Sequence, residues 1–203
     1  MRRLPFSTPE EVAAAVLAAA DVVADHGVLL LPTESFYGLG ADPAYADSVA
    51  RICAMKGRPP DLGLPVLCAD WQQLESLVIV PARFRVRLSR SWPSAMTVVL
   101  PSTAGLAAAR GGTLAVRIPA HAPLRELLYR VGPLTGTSAN WHGDPPCSTT
   151  DGAIDSLTGA PDLVLDAGQT QGGEPSTLVD LTGKNPAILR PGACNWEDPI
   201  LEC

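Results

Sequence analysis

Pro32-Thr33-Glu34-Ser35-Phe36-Tyr37-Gly38-Leu39-Gly40 is the stretch from which the fold is read. It comes directly after the apolar run 28–31, Val-Leu-Leu-Leu, which predicts a short buried strand. Pro32 ends that strand, because proline has no N–H to give to a ladder. The next residues read as a loop crowded with hydroxyls, those of Thr33, Ser35 and Tyr37. Gly38 and Gly40 permit backbone shapes and close approaches that other residues resist. A strand opening into a polar, glycine-bearing loop is where open α/β sheets bind ligands. The same pattern also fits a plain strand-to-turn connection.

Outward toward the N-terminus, Thr8-Pro9-Glu10-Glu11 is a helix start, with Thr8 as cap, Pro9 in the first turn and Glu11 where a capping box places an acid. This helix is expected to reach His26, a last-turn residue favoured by the helix dipole, with Gly27 as its stop. On the other side, a second helix is expected from Asp42 or Pro43, striped by Ala46, Val49, Ala50, Cys53 and Ala54 and ending at Lys56-Gly57. Lys56 and Arg58 then precede Pro59-Pro60. They read either as basic groups placed at a helix C-terminus or as an anion clamp on a proline-braced turn. Residues 64–68 read as a strand, and Asp70 caps a short helix through Leu77. Residues 81–90 read as a helix whose arginines face solvent or RNA.

The valine-bearing runs 96–100 and 114–118 predict central strands. Arg117 lies inside the second. A charge there is costly unless paired, so Arg117 either has a structural acid partner or points into a cleft to meet a carboxylate. A helix is expected over 122–131. The segment 134–138 leads from a strand into Thr137-Ser138-Ala139-Asn140, where Ser138 and Asn140 either bond local backbone or present an oxygen and an amide to a ligand. A short helix over 151–157 and strands over 163–165, 176–181 and 187–189 complete the catalogue. Arg190-Pro191-Gly192 closes a domain spanning 1–192, and 193–203 reads as a C-terminal tail. The alternation of helices and strands predicts the α/β class: a twisted, mostly mixed or parallel open sheet flanked by helices.

Composition excludes several function classes. The chain has 203 residues, enough for one good core in one or two lobes. No run approaches the roughly 18 apolar residues of a membrane span. Met-Arg-Arg-Leu-Pro-Phe carries two charges but no apolar signal core, and acids flank the apolar segment 13–20, so a cytoplasmic protein is expected. Cys53, Cys68, Cys147, Cys194 and Cys203 are scattered and never spaced C-x-x-C, which argues against a zinc site and a disulfide framework. His26, His121 and His142 form no ligand pair at helical spacing, and no protein-held metal is expected. A net charge of −6 argues against a nucleic-acid-coating protein, although basic clusters exist at Lys56/Arg58 and Arg83/Arg85/Arg87/Arg90. Neither of the usual glycine-rich phosphate loops nor G-x-S-x-G is present. The remaining candidates are Thr33, Ser35, Tyr37, Lys56, Arg58, Arg117, Ser138/Asn140, Ser176/Thr177 and Arg190. Each follows or ends an apolar run, so several strand ends can converge on one cleft suited to an anionic ligand with hydroxyls.

Eight pieces in order carry a resemblance: residues 32–40, Lys-Gly-Arg-Pro (56–59), Leu-Pro-Val-Leu (64–67), Trp-Pro (92–93), Val-Arg-Ile-Pro (116–119), Thr-Ser-Ala-Asn (137–140), Pro-Ser-Thr-Leu-Val-Asp (175–180) and Leu-Arg-Pro-Gly (189–192). Over roughly 8–192 the chain resembles the YrdC-like family, the threonylcarbamoyl-AMP synthases, in their short single-domain form. The resemblance implies a YrdC-like fold with a wide, positively lined cleft. It implies that L-threonine, bicarbonate and ATP become threonylcarbamoyl-AMP and pyrophosphate. Transfer proteins then carry the group to the tRNA adenosine beside the anticodon. It further implies catalytic roles for Lys56, Arg58, Ser138 and Asn140, with Lys56 and Arg58 on the ATP phosphates. Thr33, Ser35, Tyr37, Arg117, Ser138 and Ser176 are implied for threonine. Thr113, Asn140, Thr149 and Arg190 are implied for ATP, with Mg2+ held mainly through ATP and water. The chain departs from the family pattern at Ser35, Gly63 (a common proline), Cys68 and Trp141-His142. Two alternatives stay open: an RNA-binding or ribosome-maturation module touching tRNA or double-stranded RNA, and a paralogue with another carbamoyl-adenylating role.

Overall fold

The first helix begins as the sequence predicts: Thr8 Oγ1 accepts from the Glu11 N–H, and the Glu11 carboxylate accepts from the Thr8 N–H at 3.0 Å, a complete capping box. The computed structural model describes residues 1–103 and 105–197. The helices are α1 (Pro9–Ala24), α2 (Ala46–Lys56), α3 (Trp71–Leu77), α4 (Ala82–Ser91), α5 (Ala122–Val131) and α6 (Thr150–Asp155), with a 3-10 turn at Pro60–Leu62. None of them is long and apolar enough to cross a membrane.

The strands form two sheets where one was expected. The first contains β1 (Arg2–Pro5), β2 (Leu29–Pro32), β3 (Tyr37–Gly40), β8 (Thr137–Ser138) and β9 (Leu163–Asp166), in the order β1-β9-β2-β3-β8. The second contains β4 (Val66–Leu67), β5 (Met96–Pro101), β6 (Thr113–Arg117), β7 (Leu134–Thr135), β10 (Thr177–Asp180) and β11 (Ala187–Arg190), in the order β11-β10-β5-β6-β4-β7. Both are mixed: β9 runs parallel to β1 and β2, and β5 runs parallel to β10 but antiparallel to β6. The α/β class and mixed direction stand as read.

The stretch 32–40 is half strand. Leu30 pairs with Leu39, Leu31 with Gly38 and Pro32 with Tyr37, so the chain doubles back as a hairpin and the loop shrinks to Thr33, Glu34, Ser35 and Phe36. The glycines serve close packing: a Cβ on Gly40 would lie 2.5 Å from Leu31 Cδ2. The alternation in β2 places Leu30 in one core and Leu29 and Leu31 in another, so this strand is covered on both faces.

Other boundaries moved for local reasons. Helix α1 stops at Ala24, and the left-handed residue is His26 (φ 59°), whose ring stacks on Tyr45 at 3.6 Å. Helix α2 starts at Ala46 because Asp42 Oδ1 accepts from the Ala44 N–H at 2.8 Å and holds a turn. Strand β1 was missed by the sequence reading. The chain also stays packed beyond 192: Cys194 and Trp196 are buried, and Thr177 Oγ1 donates to the Cys194 carbonyl. Of the expected tail, residues 198–203 lie outside the described residues.

The two sheets meet where β7 hands over to β8 through Gly136. The Thr135 hydroxyl, in the second sheet, donates to the Leu39 carbonyl and accepts from the Ala41 N–H in the first. The Gly136 N–H donates to the Pro65 carbonyl at 2.8 Å. A Cβ on Gly136 would lie 2.3–2.8 Å from three carbons of the buried Leu67 side chain. Gly136→Ala is therefore expected to lower stability by ~1–3 kcal/mol through overpacking, read from the urea midpoint. An unchanged midpoint would show that the crossover tolerates a side chain.

Candidate active site

The second sheet turns one face to an open cleft of about 540 Å³, with β3 and β8 of the first sheet along its side. Strand alternation decides which side chains reach it. On β6, Thr113, Ala115 and Arg117 line the cleft while Leu114 and Val116 enter the core; on β5, Thr97 and Val99 line it while Val98 and Leu100 are buried. Thr33, Ser35, Tyr37, Lys56, Arg58, Thr113, Arg117, Ser138, Asn140, Ser176 and Arg190 all line this one cleft. Thr149 does not: it caps α6 by accepting from the Gly152 N–H. Thr177 is also turned away, into the core.

Lys56 ends α2, where Gly57 in a left-handed conformation (φ 57°) turns the chain. The Lys56 side chain is 2% exposed, and its ammonium donates to the carbonyls of Ser138 and, at 2.7 Å, of Asn140. The His142 N–H donates back to the Lys56 carbonyl at 2.7 Å. Trp141 lies against Gly57, so closely that a Cβ there would meet Cζ2 at 2.2 Å. The departure from smaller residues at Trp141-His142 thus braces the cationic turn. Arg58 is held by the Gly63 carbonyl, from Nε at 3.2 Å and Nη2 at 3.0 Å. Gly63 has φ 60°, a shape that proline cannot take, so the departure there sets how Arg58 is presented.

Arg117 has both of the features that its position left open: it lines the cleft and is paired with Glu34. Asn140 Nδ2 donates to the carbonyls of Trp141 and Asp144, both at 2.7 Å, while its buried Oδ1 has no partner among the described residues. Thr97 Oγ1 and Arg190 Nη2 both donate to Ser176 Oγ, at 2.9 and 3.1 Å. Two predicted hydroxyls are committed elsewhere. Thr33 Oγ1 donates to the Phe36 carbonyl, and Tyr37 Oη donates to the Gly168 carbonyl, both at 2.7 Å. Burial, with the Asp166 charge nearby, pushes the Tyr37 hydroxyl up to about 12. Tyr37 therefore shapes the cleft through its backbone and ring, not through a free phenol.

Cations dominate the lining: Lys56, Arg58, Arg110, Arg117 and Arg190 face one carboxylate, Asp144. Arg110 was missed by the sequence reading; it sits among alanines and glycines with no flanking motif, and donates to carbonyls such as that of Pro60. Glu34 was also missed, although the need of Arg117 for an acid pointed to one. Cys68 is fully buried and outside the lining, its thiol pushed up to about 12 by burial and then by Asp70. Among the described residues no group of three or more His, Cys, Asp or Glu can hold a metal ion.

The chain is similar to known proteins over most of its length. The family model for Sua5, YciO and YrdC, described as "Telomere recombination", matches residues 21–192. A putative threonylcarbamoyl-AMP synthase of Mycobacterium tuberculosis is 34% identical over 193 residues, covering 93% of this chain and 89% of that protein. The threonylcarbamoyl-AMP synthase of Pyrococcus abyssi is 35% identical over 187 residues, covering 89% of this chain and 54% of its own length. The crystal structure of P. abyssi Sua5 complexed with L-threonine is 32% identical and matches with a TM-score of 0.86, over 95% of this chain and 57% of that one. Escherichia coli YciO matches at 25% identity with a TM-score of 0.81, over 94% of each chain.

The buried Lys56 gives a pH signature independent of any ligand. Burial, and then the charge of Arg58, bring its ammonium down to about 8 from the usual 10.5. Between those values the unfolded chain binds more protons than the folded one, so this residue adds stability as pH rises through the window and withdraws it as pH falls toward 8. The stability of the natural protein relative to Lys56→Met should therefore climb between about pH 8 and pH 10, measured by urea denaturation. A flat difference would mean that the two carbonyls fully offset the cost of burying the charge.

Proposed function

Because the chain belongs to the Sua5/YciO/YrdC family, we propose that it is an L-threonylcarbamoyladenylate synthase, making threonylcarbamoyl-AMP and pyrophosphate from L-threonine, bicarbonate and ATP. The observation that carries this reading is the single cleft that gathers an arginine backed by an acid, a row of hydroxyls and four further cations. The threonine complex of a structural neighbour supports it.

The reaction brings two anions together. The threonine amine, having lost a proton, adds to the carbon of carbon dioxide derived from bicarbonate and becomes a carbamate. A carbamate oxygen then attacks the α-phosphorus, and the bond to the pyrophosphate oxygen breaks. The protein's task is to position both anions and offset their repulsion. Arg117 takes the threonine carboxylate, with Thr33, Ser35, Tyr37, Ser138 and Ser176 around it. Lys56 and Arg58 take the phosphates, and Thr113, Asn140 and Arg190 the rest of the nucleotide. The unpartnered Asn140 Oδ1 suits a ligand N–H or O–H. Thr149, outside the cleft, is not carried forward. Magnesium would be held mainly through ATP and water and would offset phosphate charge, since the cleft offers one lining carboxylate, Asp144. The product is a mixed anhydride for transfer proteins of the cytoplasm to use on tRNA.

Pyrophosphate release, with L-threonine and bicarbonate omitted one at a time, tests the reading. Release that needs both is expected; release indifferent to threonine would overturn it. Arg58→Ala is expected to lower kcat/KM by ~100-fold, the loss of a charged hydrogen-bond partner at the phosphates, while the urea midpoint stays close to that of the natural protein. Unchanged turnover would remove Arg58 from the phosphate site.

A further inference from the structure

Glu34 belongs to the hydroxyl-bearing stretch 33–37, yet it does not line the cleft, although Thr33 and Ser35 on either side do. Its carboxylate sits behind Arg117. Glu34 Oε1 accepts from Arg117 Nη2 and, at 3.1 Å, from the Ala120 N–H. Arg117 Nε donates to the Ser94 carbonyl at 3.0 Å. Two of the three guanidinium nitrogens are thus fixed, by partners from different segments. Nη1 makes no hydrogen bond to any described residue. Because the guanidinium is planar, holding two of its nitrogens also sets the direction of the third.

A second feature separates Arg117 from its neighbours. Among the described residues it is the only cleft-lining cation in an ion pair. Lys56, Arg58 and Arg110 bond carbonyls, and Arg190 bonds Ser176. Burial alone would raise the Glu34 carboxyl, but the Arg117 charge and backbone N–H groups outweigh it and hold the group below its usual range. The pair is therefore charged and close to neutral overall. Its attraction for a polyphosphate is weakened, while Nη1, with its direction fixed, remains free to donate to a carboxylate oxygen.

We propose that Glu34 is the positioning residue for Arg117: it fixes the guanidinium so that its Nη1 edge meets the carboxylate of the amino-acid substrate, and it leaves the polyphosphate to the unpaired cations. This rests on the synthase reading above. Steady-state pyrophosphate release tests it through the two KM values. Glu34→Ala should raise the threonine KM by ~10-fold, with the ATP KM within about twofold, and should add nothing in an Arg117→Ala background. Glu34→Gln keeps an acceptor for Nη2 and for the Ala120 N–H, and should recover most of the loss. An equal rise in both KM values, or a full extra penalty in the Arg117→Ala background, would overturn the proposal. If Glu34→Ala fails to fold, Glu34→Gln carries the test: a threonine KM up by ~3-fold with ATP unchanged supports it, and an unchanged threonine KM overturns it. A nitrogen-15 spectrum of the arginine Nε–H groups, with Arg117 assigned from Arg117→Lys, reads the positioning without turnover. Loss of the dispersed Arg117 signal in Glu34→Gln or Glu34→Ala supports the proposal, and an unchanged signal in both overturns it. A natural protein that releases no threonine-dependent pyrophosphate would instead defeat the synthase reading, with the spectrum still deciding the place of Glu34.

Discussion

A buried ammonium between two backbone carbonyls holds the cleft together. Lys56 Nζ joins the end of α2 to the carbonyls of Ser138 and Asn140, and the His142 N–H returns the bond to the Lys56 carbonyl. A lysine this deep is costly unless its hydrogens find oxygens, and here the oxygens belong to the segment that must be held. Trp141 then closes over Gly57 from the side. The turn carrying Arg58 and the loop carrying Ser138 and Asn140 are therefore tied to each other. Beyond the two-residue strand β8, neither has a ladder of its own to fix it.

The second constraint is topological. The chain crosses from one sheet to the other through Gly136, against Leu67, in a space that admits no side chain without a shift. This crossing brings the hydroxyl-bearing edge of the first sheet beside the cleft face of the second. Strands of period two then place Thr97, Thr113 and Arg117 on the wet side, with valines and leucines behind them. Catalysis by positioning needs such a rigid frame, because fixed cations and dipoles stabilise developing charge without having to reorganise. The site is built from side chains already satisfied by backbone: Arg58 on Gly63, Arg110 on Pro60, Arg190 on Ser176. Their orientation is set before any ligand arrives.

Much of this was legible in the sequence where the cause is local. The capping box at Thr8, the stop at Gly57 and the Asp70 cap each depend on a few neighbouring residues, and each forms as read. The predicted site residues, apart from Thr149 and Thr177, meet in one cleft, because most stand beside an apolar run and strand ends gather at one edge. The features that were not legible depend on partners far along the chain. The hairpin formed by β2 and β3 is flanked by Ser138 beside Gly38 and Thr137 beside Leu39, and strand β1 exists through pairing with β9. His26 takes the left-handed position because Tyr45 stacks on it, a contact no helix-end rule contains. The Tyr37 hydroxyl looked available until the turn at Gly168 claimed it. Glu34 looked like one more polar loop residue, and only the position of Arg117 gives it a task.

The proposed function gives one preorganised cleft both jobs, the amino acid at Arg117 and the nucleotide phosphates at Lys56 and Arg58. A crystal structure with L-threonine and a non-hydrolysable ATP analogue tests that assignment most directly. The threonine carboxylate is expected on Arg117 Nη1 and phosphate oxygens within hydrogen-bond reach of Lys56 and Arg58, at ~2.7–3.0 Å, with the Glu34–Arg117 pair intact. Threonine bound away from Arg117, or phosphates on other groups with Lys56 and Arg58 still turned to their carbonyls alone, would contradict it.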